Sequence, residues 1–292
     1  MSRIAYLVVA FALLSAGCKK EEPEPPAAPA ATTPPPVPAP NDPLTMGNPS
    51  GAIASVVLAN NYLIQRPQFS LAYDNSRGTA SWVAWHLSSE WLGPVPRCDC
   101  FSPDPLLPSG YFTAYTWNYT NTGFDRGHLC PSGDRTATDA DNAATFYMTN
   151  ISPQAPVLNQ QTWAYMESFS RDLAYDGYEL YIYAGGYGSG GSGSLGGTTY
   201  TIANGSITVP ERYWKVMLIL PVGEDDLQRV TSDTRIIAVD MPNTQYANAQ
   251  PWYDYRSSVD QIKAATGLDF FNGLPVALQA SLEAGVDAGE AH

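Results

Sequence analysis

"NTGFDRGHLCPSG", residues 121–133, sets an aspartate, an arginine, a glycine and a histidine side by side in a chain of 292 residues that owns only three histidines. The other two are poorly placed to share a task with His128. His86 falls in a segment with strand character, and His292 is the terminal residue. That count excludes a metal site built from histidines, so His128 must work alone or with oxygen and amide partners. A lone neutral imidazole is sufficient for one kind of chemistry, proton abstraction from an attacking water, which contributes about 10²- to 10⁴-fold. If the bond being broken is a phosphodiester, a divalent cation and an arginine must neutralise the charge that gathers on phosphorus and the leaving oxygen.

The flanking elements follow from periodicity. The segments "ASWVAWHLSS" (80–89), "YFTAYTWNYT" (111–120), "ELYIYAGGYG" (179–188) and "YWKVMLILPV" (213–222) are aromatic and β-branched and lie between turn signals, so they read as strands. In "TTYTIANGSITVP" (198–210), Asn204-Gly205 marks a hairpin. Helical patterns run through "TDADNAATF" with Thr138 or Asp139 as N-cap, "LNQQTWAYMESFSRDLAYDG" closing at Gly177, and "SSVDQIKAATG" closing at Gly267. The glycine-rich stretch 184–197 reads as a flexible loop without phosphate-loop spacing. Strands that neighbour one another, with helices packed on them, predict an α+β fold with a central antiparallel sheet. On the helix from Leu158, Asn159 and Glu167 stand eight residues apart, about 80° around the axis. An amide and a carboxylate facing the same way suit Mg²⁺, which takes oxygen ligands and keeps most of its waters; on spacing alone, a helix N-terminal Asn and a solvated Glu are the alternative.

The chain divides by composition. Residues 1–17, "MSRIAYLVVAFALLSAG", carry one basic residue and an apolar run of signal-peptide length, too short to span a bilayer. The "LSAGC" that ends it resembles the lipobox of bacterial lipoproteins, with Cys18 as the lipidated N-terminus; ordinary cleavage with an unmodified cysteine is the alternative. Residues 18–46 form a tether with ten of the 25 prolines between Lys19 and Pro43, a semi-rigid spacer reaching roughly 75 Å. Residues 47–280 make one folded domain and 281–292 an acidic C-terminal tail. This organisation implies an exported lipoprotein anchored to the outer membrane, facing the periplasm or the exterior. Between residues 44 and 275, 21 Asp and Glu stand against 12 Lys and Arg, the wrong balance for gripping nucleic acid through a broad basic surface. Beyond Cys18, three cysteines remain, and export favours oxidation of two. A Cys98–Cys100 ring would be small, so one of the pair bonded to Cys130 is the favoured arrangement, with three unpaired buried thiols the other possibility.

"FDRGHLCPSGD" followed by "TFYMTNISPQAPVLNQQTWAYME" (145–167) resembles the signature of the DNA/RNA non-specific endonucleases, the sugar-non-specific ββα-metal nucleases with a DRGH motif. "RCDCFSPDP" (97–105), "VPERYWKVML" and "WYDYRSSVDQIKAATGLDFFNGLP" extend the resemblance over nearly all of residues 60–275. It implies a ββα-metal (His-Me finger) fold and a Mg²⁺-dependent endonuclease, with Mn²⁺ as a possible substitute, acting on DNA and RNA. His128 would be the general base, Arg126 and Arg97 the cations that meet the phosphate, Asn159 the direct metal ligand, and Glu167 the holder of metal-bound waters. Asn150 matches a further active-site position, and Asp125 one that orients its loop. Gly127 would allow a tight backbone so that Arg126 and His128, two apart on a strand, address one phosphate, with Arg135 a further candidate contact. The chain departs from the family pattern at Cys130, where a small unreactive residue is usual, at Phe146, which is Asn in some secreted members, and in its acidity. Two other readings compete: a phosphodiesterase for nucleotides or other small diesters, and a binding lipoprotein that keeps the fold without turnover.

Overall fold

The computed structural model describes Met1 and residues 41–291; the signal peptide, Cys18 and most of the tether lie outside the described residues. Eleven strands occur among them: β1 (Tyr62–Gln65), β2 (Ser70–Asp74), β3 (Thr79–Leu87), β4 (Asp125–His128), β5 (Ile151–Gln154), β6 (Tyr178–Tyr187), β7 (Thr201–Ile202), β8 (Ile207–Thr208), β9 (Arg212–Pro221), β10 (Arg235–Pro242) and β11 (Arg256–Ser257). Seven form an antiparallel sheet in the order β1-β2-β3-β6-β9-β10-β11, while β4 pairs with β5 and β7 with β8. The helices are α1 (Asp139–Ala144), α2 (Ala164–Tyr175), α3 (Asp226–Arg229), α4 (Val259–Thr266) and α5 (Val276–Glu283).

Both faces of the large sheet are covered, and strand alternation sorts the side chains between them. Trp82, Ala84, Tyr181, Tyr183, Trp214, Val216 and Leu218 point to one face, where they meet Val259 and Ile262 of α4 and the pair Phe270-Phe271. Val83, Trp85, Leu87, Ile182, Met217 and Ile219 point to the other, against Met166 and Phe169 of α2 and against Leu129, Cys130, Leu158 and Trp163. Double burial explains why β3, β6 and β9 read as near-continuous apolar runs. Fully burying each such side chain contributes about 1.5–3 kcal/mol. The α+β fold with helices flanking a central antiparallel sheet is the architecture observed.

Local signals placed the helix ends. The Thr138 hydroxyl accepts the Asp141 amide at the start of α1, and Ser258 and Gln261 form a capping box on α4, which stops at Gly267 with φ 74°. The turn at Asn204-Gly205 joins β7 to β8, with Asn204 at φ 56°.

Four expectations need correction. Residues 111–120 form no strand: Tyr111 packs on Tyr62 and Tyr73, and Thr116–Tyr119 is a 3₁₀ turn. High β-propensity reflected side chains that fill separate apolar sites, with no partner strand to pair the backbone. Within the glycine-rich stretch, residues 184–187 belong to β6, and the following loop is tied down by Ser192 N–H to Asn243 and Ser194 N–H to Gly123. The tether gives way to the domain before residue 47, since Met46 is completely buried. The C-terminal segment is packed, with Asp287 paired to Arg235 and Arg256 and Ala291 buried.

Candidate active site

β4 is the sequence Asp-Arg-Gly-His itself, paired antiparallel with β5 so that Gly127 faces Ser152 and His128 faces Ile151. Gly127 is required by crowding: a Cβ there would lie 2.1 Å from Oε1 of Gln154. That side chain crosses the glycine on one face of the strand, which leaves Arg126 and His128 together on the other. Both touch Phe101: the Arg126 guanidinium lies 4.5 Å from its ring centroid, and the His128 ring 5.5 Å away. Phe146 closes over His128 edge-on at 4.8 Å, and Arg97 stacks on Phe146 at the same separation. His128 is buried, and its Nε2 has no hydrogen-bond partner among the described residues. Burial, reinforced by the positive charges of Arg97 and Arg126, pushes its pKa down to about 3, so the imidazole is neutral at physiological pH.

After β5 the chain enters a helix whose first turns, Leu158–Trp163, are π-helical before α2 continues regularly. A π turn advances less around the axis per residue than an α turn, so Asn159 and Glu167 come closer to one face than about 80° of straight α-helix would place them. Asn159 donates its Nδ2 to Asp125 at 2.8 Å, and Gln160 does the same. Asp125 thus fixes the amide, leaving the Asn159 carbonyl oxygen available at the wall of a cavity of about 370 Å³. Arg97, Arg126, Phe101, Asp99, Asp125 and Asn159 are among the residues lining it. Glu167 lies deeper, 3.9 Å from Nζ of the buried Lys215, and burial raises its pKa to about 7 against the opposing charge of Lys215. Arg97 bears electrostatically on both Glu167 and His128, which places the three groups in one field.

Asn150 sits elsewhere. It is completely buried, accepts the Cys130 N–H through Oδ1 and donates to the carbonyls of Cys130 and Thr145, so its amide holds the chain leaving β4. Arg135 is no phosphate contact: it is fully buried, donates to the carbonyls of Gln68, Asp134 and His86, and lies over Trp91. The cysteines also depart from expectation. Cys98 and Cys100 are joined to each other, and Cys130 is a free, buried thiol. Asp99 between the bonded pair adopts φ 50°, which reverses the chain within three residues and brings the two Cα atoms to 5.2 Å. Cys130 could not meet either, being enclosed in the core with Leu129 and Leu158. Sequence reasoning missed Lys215, a cation inside an apolar strand, and Phe101, whose role over His128 no spacing announces.

The model of the DNA/RNA non-specific endonuclease family matches residues 49–277. A nuclease of Nostoc sp. is 44% identical over 244 residues, covering 84% of this chain and 85% of its own. Nuclease C1 of Cunninghamella echinulata is 31% identical over 220 residues, 73% of this chain and 84% of its own. A solved EndoG/EndoGI complex has the same fold, with TM-score 0.64 and 22% identity over 80% of this chain and 91% of that one. With that coverage and the DRGH strand in place, the chain belongs to the DNA/RNA non-specific endonuclease family and is a nuclease.

Proposed function

We propose that this nuclease is a Mg²⁺-dependent endonuclease that hydrolyses phosphodiesters of DNA and RNA with little sequence preference, His128 serving as the general base. The observation that carries this reading is the buried, neutral imidazole with its unpartnered Nε2 beside two arginines. His128 takes a proton from the attacking water. Arg126 and Arg97, stacked on Phe101 and Phe146, present fixed guanidinium groups to the phosphate, and burial together with their charge keeps the imidazole unprotonated.

The donor set fits Mg²⁺. Asn159 offers a carbonyl oxygen whose orientation Asp125 secures, and Glu167 offers a carboxylate that would accept hydrogen bonds from the ion's waters. The ion, when bound, supplies charge neutralisation at the phosphate and leaving oxygens. Asn150 contributes by fixing the backbone from which His128 projects.

Anchoring to the outer membrane through a lipid on Cys18 completes the proposal, resting on the "LSAGC" sequence. Intact-mass analysis of membrane-extracted protein would reveal the acyl chains, and a free Cys18 thiol would remove this part. A second reading, cleavage of nucleotides or other small diesters, is favoured by the acidic surface. The purified protein should nick supercoiled plasmid and degrade RNA with Mg²⁺ and do neither in EDTA. Activity on a chromogenic diester alone would select the second reading.

A further inference from the structure

The turn Thr116–Tyr119 carries an aromatic pair that the reaction does not use. Tyr115 and Trp117 stack with ring centroids 4.2 Å apart and planes 11° from parallel, yet Trp117 is 64% exposed. An exposed tryptophan already stacked on one face presents its other face to solvent. The turn beneath it is fixed: the Asn118 side chain accepts the Tyr115 N–H, the Asn118 N–H donates to the Tyr115 carbonyl, and Thr120 N–H donates to the Trp117 carbonyl. Tyr119, the next residue but one after Trp117, is buried in the apolar cluster with Phe124 and Ile151, and Tyr119 and Thr120 both line the cavity that holds Arg97, Arg126 and Asn159. The stack therefore stands on the same turn that forms one wall of the active site.

Charge says what such a surface is for. The cavity wall carries Arg97 and Arg126 but also Asp99 and Asp125, and the domain is acidic overall, so phosphate contacts alone give a weak hold on a polyanion. Stacking of a base on an aromatic ring adds affinity without regard to charge or sequence, and a ring that is rigid before binding loses little entropy. A base can use such a face only when it is out of the duplex stack.

We propose that Trp117, backed by Tyr115, is a stacking subsite for an unpaired base next to the scissile phosphate, which makes single-stranded DNA or RNA the better-held substrate. The inference rests on the nuclease reading of the cavity. Because the stack is sequence-tolerant, it is compatible with cleavage that ignores base identity.

The test compares wild type, Trp117→Ala and Trp117→Phe on a single-stranded oligonucleotide and on the same strand with abasic sites throughout, in Mg²⁺. Loss of one base–ring stack corresponds to about a 5- to 100-fold rise in KM. Trp117→Ala should show that rise on the normal strand with kcat held within about twofold, almost none on the abasic strand, and recovery of most of the loss in Trp117→Phe. An unchanged KM on the normal strand, or an equal rise on both strands, overturns the subsite. Titration of an inactive His128→Ala background with the same two strands, following tryptophan quenching, separates the two ideas. Wild type that cleaves nothing while the normal strand still quenches would sink the catalytic reading and leave the subsite standing; absence of quenching sinks the subsite.

Discussion

Two buried histidines, His86 and His128, occupy opposite situations. His86, on β3, faces the same side as Tyr181, and its Nε2 is 3.1 Å from Oε2 of Glu179. Glu179 is in turn bound by Arg229, which also grips Asp226, the partner of the Tyr181 hydroxyl. Each charged group in that chain has an opposite or a donor against it, although Nδ1 of His86, like Nε2 of His128, has no hydrogen-bond partner among the described residues. His128 is held by rings and not by hydrogen bonds at Nε2, and the charges that bear on it are both positive. The first environment ties its histidine into a static network. The second leaves a ring nitrogen without a partner beside Phe101, which lines the cavity. Burial is common to both, so burial alone does not distinguish a structural histidine from a reactive one; the partners do.

The contrast can be broken most sharply by exchanging each histidine in turn. His128→Ala should lower plasmid cleavage by at least 10²-fold while the thermal midpoint changes little. His86→Ala should leave the rate within a few-fold and instead cost about 1–3 kcal/mol of stability by disturbing the buried pair with Glu179. A variant lacking His128 that cleaves within tenfold of wild type would end the assignment.

Asn159→Ala should come next in size, raising the Mg²⁺ concentration for half-maximal rate by about 10- to 100-fold. Superimposed metal titrations would reduce Asn159 to a helix residue tied to Asp125.

A smaller effect concerns acid. The unfolded chain protonates His128 below about pH 6.5, whereas the folded state resists until about pH 3. The unfolded state therefore binds the extra proton across that window, and stability falls as pH falls from about 6.5 toward 3. His128→Gln lacks this proton, so its thermal midpoint should decline less steeply than that of wild type over the same range. Parallel curves would mean that the imidazole is not held neutral by its surroundings.

The smallest expected response is to salt. With two arginines and two aspartates at the cavity, added salt both weakens phosphate contacts and screens repulsion over roughly 10 Å at 0.1 M. Initial rates on plasmid should decline shallowly, or rise slightly, between low and physiological salt at fixed Mg²⁺. A thousandfold fall would demand a basic groove.

The parts of this structure that sequence could supply are those decided within a few residues. Thr138, the Ser258–Gln261 box and Asn204-Gly205 each satisfy local hydrogen bonds or a local φ, and each lies where expected. The DRGH run was legible because four functional residue types in one strand have few other uses. What escaped depends on contacts far along the chain. Residues 111–120 have strand-like composition but no partner strand. The Cys98–Cys100 bond turns on the left-handed conformation of a single aspartate, which residue spacing does not encode. Neither the π turn that draws Asn159 toward Glu167 nor the burial of Lys215 on β9 against Trp163 has a signature in residue spacing.

Cys130 is the one free thiol among the described residues, and it lies two positions beyond His128 with its backbone N–H and C=O both held by Asn150. Burial pushes its pKa up to about 12, so in the closed protein it is a poor nucleophile. Alkylating reagents can then reach it only when the strand bearing His128 swings out, and the rate of labelling becomes a clock for that opening. Measured with and without Mg²⁺ or a nucleic-acid strand, the clock reports how far ligands slow the breathing of the site against that of the whole domain, at a position that needs no engineered probe.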